Sequence, residues 1–123
     1  MIHIQEGLPL SDLNRRGLLL VMGEPHPDAE AEFNRWYDEE HLKERIACPG
    51  ILGARRFRAV EGTPRYLALY ELDSLQALKT PQYLRVTNND TRWTIRMRSQ
   101  SGGWIRNVYT EITAPGLNTR SWR

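Results

Sequence analysis

His41 is the side chain in this sequence best suited to moving a proton. An imidazole titrates near neutral pH and can take a proton from a carbon acid or a hydroxyl, or return it. It belongs to the set Phe33, Trp36, Tyr37, Glu40, His41 and Glu44, whose i, i+3, i+4 spacing puts them on one helix face. The other face carries Arg35, Asp38, Glu39 and Lys43, so the aromatic side turns inward. Trp36 and Tyr37 can wall a pocket for a planar substrate, with the tyrosine hydroxyl as donor. The competing roles are core packing for Trp36 and, for His41, a hydrogen bond to a backbone carbonyl at the helix end. Glu40, Glu44 and Glu71 are the carboxylates that could orient the ring, Glu44 as the i+3 neighbour. Helix glutamates are commonly solvated, so the signal from this pairing is weak.

Further polar groups come from the rest of the chain. Tyr66, Tyr70 and Tyr109 lie on strands expected to be neighbours, where converging phenols would stabilise an enolate. Each has half-buried packing as its alternative. Asn107 either hydrogen-bonds a substrate or serves a strand edge. Arg56 and Arg96 either hold an anionic group or pair with the acidic helix. Arg92, Arg96, Arg98 and Arg106 form one basic group, and Arg55, Arg56 and Arg58 another. Each group reads as a solvated face or as a local anion site for a carboxylate.

Several classes are excluded. The 123 residues leave room for one domain. Lys and Arg total 17 against 15 Asp and Glu, an imbalance too small to argue for nucleic acid. Cys48 is the single cysteine, which removes a disulfide framework and any multi-cysteine metal site. It follows a helix end rather than a helix start, so its thiol is a poor nucleophile. His3, His26 and His41 lack metal-ligand spacing, and no metal is expected. There is no phosphate loop and no Gly-x-Ser-x-Gly elbow. No apolar run reaches the roughly 20 residues of a membrane span, and no signal peptide pattern precedes Leu20, so a cytoplasmic protein without membrane association is expected.

The elements that must position these groups read in order. Leu18 to Met22 is an apolar run expected to be a strand buried on both faces. Pro25, Pro27 and Asp28 lead into the helix, Glu30 and Glu32 suit its first turns, and Pro49-Gly50 stops it. Residues 51–60 and 66–72 read as a hairpin, with Tyr66, Ala68, Tyr70 and Leu72 on one side. Ser74 caps a short turn. Thr80-Pro81 starts a second helix with Tyr83 and Leu84 inward, and Asn88-Asn89-Asp90 interrupts it before a continuation through Trp93, Arg96 and Met97. Residues 104–113 form the last strand. The order is that of an α+β, ferredoxin-like βαββαβ domain with an antiparallel four-stranded sheet. Residues 1–16 read as an N-terminal arm, 17–113 as the domain and 114–123 as a tail. Helices would cover only one sheet face, while the strands are apolar on both. A homodimer is the economical way to cover the other.

The run Phe33-Asn34-Arg35-Trp36-Tyr37-Asp38-Glu39-Glu40-His41-Leu42, followed by residues 49–57 from Pro49-Gly50 to Phe57, resembles the dimeric α+β barrel superfamily. The closest resemblance is to the EthD-like branch and its uncharacterised relatives. Residues 66–71 and 106–109 resemble the third and last strands of that group. The resemblance implies sheets packed back to back in a homodimer, with one ligand cavity per subunit between sheet and helices. The superfamily spans isomerases, cyclases, dehydratases, cofactor-free monooxygenases and haem-binding branches, so the fold does not fix the reaction.

The leading expectation is a cofactor-free enzyme performing acid/base proton transfer on a small organic substrate, aromatic or anionic, with isomerisation, cyclisation or dehydration as the outcome. His41, Tyr37 and Tyr109 are its expected catalytic residues. Trp36, Tyr66, Tyr70, Trp93, Arg56, Arg96 and Asn107 are its expected ligand-binding residues. A non-catalytic binding protein is the alternative from another class, and a cofactor-free monooxygenase is a further one.

Overall fold

The structure is a computed structural model and describes residues 13–114, 116 and 117. Strand β1 (Gly17–Pro25) leads through a 3-10 turn, Pro27–Ala29, into the first helix. That helix runs as α1 (Glu30–Trp36), a π turn (Tyr37–His41) and α2 (Leu42–Ile46). Strands β2 (Ile51–Arg58) and β3 (Tyr66–Leu72) follow. A 3-10 segment, Leu75–Lys79, then leads to α3 (Pro81–Asn88), α4 (Arg92–Ser99) and β4 (Ser101–Thr110). The sheet order is β2-β3-β1-β4 with every pair antiparallel, the ferredoxin-like arrangement the element order implies.

Local chemistry explains most boundaries. The Thr80 hydroxyl accepts from Tyr83 N at the start of α3, beside Pro81. The cap of α4 is Thr91, whose hydroxyl accepts from Thr94 N, while Asp90 in the preceding Asn88-Asn89-Asp90 run pairs with Arg98. Gly50, in the turn after the first helix, sits at φ +86°, which an L side chain rarely adopts. The last strand begins earlier than expected, at Ser101, so Gly102 and Gly103 lie inside β4.

The core lies on the helix side of the sheet. Phe33, Trp36 and Tyr37 pack against Leu19, Ala68, Tyr70 and Leu72, with Leu78, Tyr83 and Met97 closing the layer. Leu84, expected inward on α3, is 38% exposed, and Thr87 takes the buried position beside Tyr83. The alternation of β3 is as its sequence pattern requires. β1 departs from expectation. Leu19 and Val21 are buried, but Leu18, Leu20 and Met22 are only half-buried, because no element among the described residues covers that face. In register beside them stand Leu67, Leu69 and Ile105, with Phe57 next to Leu67. Of the expected arm, Leu13 is buried in the core and residues 1–12 lie outside the described residues, as does most of the expected tail. Among the described residues, no helix is long and apolar enough to cross a membrane.

Candidate active site between the sheet and the helices

A cavity of about 310 Å³ opens between the inner face of the sheet and the helices. Leu19, Val21 and Tyr70 form its sheet floor, and Trp36, Tyr37, His41 and Arg45 enter from the first helix. Tyr83 and Thr87 of α3, Arg98 of α4, and Trp104 and Arg106 of β4 complete the wall. Trp104 sits on this side because Gly23 has no side chain. A Cβ there would fall 2.7 Å from the indole.

The π turn sets the geometry of the first-helix group. The His41 ring lies 4.4 Å from the Trp36 ring, centroid to centroid, and 5.2 Å from the Tyr37 ring at 88°. Trp36 and His41 are five residues apart, a spacing that in a regular α-helix separates side chains by about 140° around the axis. Widening one turn brings them into contact, and π turns recur at functional sites. Trp36 is itself held by its Nε1, which donates to Thr94 Oγ1 at 3.1 Å.

Burial and nearby guanidinium groups set the protonation states. His41 is 7% exposed, and its Nδ1 has no hydrogen-bond partner. Burial, reinforced by Arg45, Arg98 and Arg56, holds its pKa well below the ordinary imidazole value. The ring is therefore neutral at neutral pH. Burial pushes the Tyr37 hydroxyl up to about 12, against the opposing pull of Arg56, Arg45 and Arg98. Burial also raises Tyr70 well above the ordinary phenol value, and its buried hydroxyl has no hydrogen-bond partner. Both phenols stay protonated as donors, beside a neutral imidazole that can accept.

Among the described residues, no carboxylate orients His41. Glu40 Oε2 accepts from the Thr91 hydroxyl at 2.6 Å, Glu44 Oε1 faces Arg45, and Glu71 lies on the uncovered sheet face. The structure thus gathers Trp36, Tyr37, His41 and Tyr70 around one cavity, and places the other expected site residues elsewhere. Tyr109 and Asn107 sit on the uncovered face, where Asn107 Nδ2 donates to the Tyr109 hydroxyl at 3.0 Å. Strand β1 lies between β3 and β4, so the expected adjacency of Tyr66 and Tyr70 with Tyr109 does not occur. The Tyr66 hydroxyl donates to Glu30 at 2.5 Å and accepts from Asn34 Nδ2, outside the cavity lining. Arg56 stacks 4.2 Å over the Tyr37 ring and donates to Asn34 Oδ1, so it braces the wall from behind. Trp93 and Arg96 both bond Glu32. Of the basic group that contains Arg96, it is Arg98 and Arg106 that reach the cavity.

Arg45, Tyr83, Thr87 and Trp104 also line the cavity, and site reasoning from sequence overlooked them. Arg45 stands near the end of the first helix, where a cation is common, yet it is 5% exposed. Tyr83 carried a signal, as an expected inward residue of α3. Among the described residues, no group of three or more His, Cys, Asp or Glu could hold a metal ion.

No protein-family model matches the sequence, and no curated protein matches it. Solved structures do. SnoaB, a cofactor-independent oxygenase from Streptomyces nogalater, aligns at TM-score 0.59 and 16% identity, covering 82% of this chain and 98% of its own. The haem degrader MhuD from Mycobacterium tuberculosis, with two haems bound in its active site, aligns at TM-score 0.58 and 16% identity, covering 81% and 99%. A dimeric ferredoxin-like protein from an uncultured marine organism aligns at TM-score 0.60 and 14% identity, covering 85% and 96%. None of these three names specifies the EthD-like branch. At these identities the likeness is one of fold, and the fold of this chain is the ferredoxin-like α+β fold.

Proposed function

We propose that the chain is a cofactor-independent oxygenase acting on a small phenolic or enolisable aromatic substrate. The observation that carries this is the aromatic cavity in which a neutral, unpartnered imidazole stands beside protonated phenols. Such a pocket accepts a flat ring and excludes bulk water. His41 takes the substrate proton, Tyr37 donates a hydrogen bond to the resulting oxyanion, and Trp36 and Trp104 wall the ring. The electron-rich anion then reduces dioxygen itself. One oxygen atom enters the product and the other leaves as water, with substrate supplying the electrons. The oxygenase name of SnoaB supports this outcome over isomerisation or dehydration, which share only the first proton transfer.

We further infer that the active form is a homodimer. The half-buried face with Leu18, Leu20, Met22, Leu67, Leu69 and Phe57 needs cover, and a dimeric neighbour shares the fold.

The test is oxygen uptake by purified, metal-free protein with a panel of polycyclic phenols, with absorbance scanned for a haem Soret band. Turnover without added cofactor is expected, and His41→Gln should lower kcat by roughly a hundredfold or more. Product formed under strict anaerobiosis, or an unchanged rate in His41→Gln, would refute the assignment.

A further inference from the structure

The cavity wall is unusual in its charge. Among the described residues it includes three guanidinium groups, Arg45, Arg98 and Arg106, and not one Asp or Glu. Two of its most buried side chains carry hydrogen-bonding groups that the fold does not use. Arg45 Nη1 is buried with no hydrogen-bond partner, and the nearest carboxylate oxygen, Glu44 Oε1, stands 3.6 Å away. The Tyr70 hydroxyl is equally unpartnered in a side chain 1% exposed. Leaving such donors unsatisfied is costly, more so when they are charged. Glu44 is a weak counterion, since burial raises its pKa against the pull of Arg45. Arg98 is charge-paired with Asp90, and Arg106 Nη2 donates to the Tyr83 hydroxyl at 3.4 Å, so Arg45 is the member of the trio most in need of a ligand.

We propose that this end of the cavity is a carboxylate anchor, and that the substrate is an aromatic acid whose carboxylate is held by Arg45 with support from Arg98 and the Tyr70 hydroxyl. The inference deepens the oxygenase reading, because it assumes that the same cavity is the substrate site. A planar guanidinium fork matches a planar carboxylate. A carboxylate seated there also offsets the positive field that, beside burial, keeps His41 neutral. Binding would thus return proton affinity to the base at the moment it is needed. By the same reasoning an uncharged phenol should be the poorer ligand, since it fills the aromatic walls and leaves the guanidinium unmatched.

Calorimetric titration of the intact protein with naphthoate, with its neutral isostere naphthamide and with naphthyl phosphate tests the anchor. Naphthoate should bind roughly ten- to hundredfold more tightly than naphthamide. Arg45→Met keeps an apolar stem of similar length and should remove most of that preference, while Arg45→Lys restores part of it. Equal affinity of the wild-type protein for naphthoate and naphthamide overturns the proposal without reference to any variant. A preference for naphthyl phosphate over naphthoate overturns the carboxylate in favour of a phosphoryl group. Oxygen uptake with neutral phenols but no preference for naphthoate refutes the anchor alone. A naphthoate preference lost in Arg45→Met upholds the anchor even where no substrate consumes oxygen.

Discussion

Mild acid should destabilise this fold through His41. The imidazole is buried and neutral in the folded chain, with a pKa well below its ordinary value, whereas the unfolded chain takes up a proton near pH 6.5. The contribution is therefore fully present above about pH 6.5, and it is lost as pH falls from there toward the depressed folded value. Lowering pH from about 7.5 to about 5.5 should cost about 1.4 kcal/mol, one proton over roughly one effective unit. Glu24, Glu30 and Glu32 are held below 4.5, so their losses start in a lower window. Glu44 is raised, gains a proton in the folded state first, and opposes the loss only toward the acid end. Urea unfolding followed by circular dichroism at several pH values, at one fixed protein concentration because of the expected dimer, measures the slope. His41→Gln should flatten it between about pH 7 and 5.5. A flat wild-type profile, or an equally steep one in His41→Gln, would refute a buried neutral histidine.

Three further outcomes follow from packing. Gly50→Ala forces a Cβ into φ +86° and to 2.7 Å from the Ala77 Cβ, so thermal unfolding should report a loss of roughly 1–3 kcal/mol; an unchanged midpoint would show that the turn relaxes. Tyr70→Phe removes a buried hydroxyl that has no partner, and urea unfolding should show stability unchanged or higher by up to about 1 kcal/mol. A loss of more than that would reveal a partner for the hydroxyl. Leu69→Glu places a charge in the middle of the uncovered face, and light scattering should show a monomer where the parent is a dimer; a dimer retained at micromolar concentration would locate the interface elsewhere.

What the sequence made legible divides along physical lines. β3 was readable because strict alternation over Tyr66–Leu72 has one interpretation once a face is buried. The first helix was readable at its ends, where Pro27 and the acids favour a start and Gly50 enforces a stop. The widened turn at Tyr37–His41 was not, because no residue type marks a π turn and its contacts decide it. Tyr109 and Asn107 could not be assigned a face from β4 alone. Their side is fixed by pairing with Leu18 and Leu20, and the register between β1 and β4 shifts between Met22 and Glu24. Arg45 was hidden for a different reason. Near a helix C-terminus a cation looks like dipole compensation, and only packing shows that the side chain has turned inward.

The π turn also shows that the first helix carries one residue of slack. Wound as a regular α-helix at its present length, the chain would turn His41 and everything after it by about 100° away from Trp36. Removing one residue from 38–40 instead would leave Trp36 and the histidine four apart, about 40° around a regular helix, so the two rings would keep a common face. Descendants of this chain can therefore shed a codon in this turn while the pairing of those rings and the architecture around it persist.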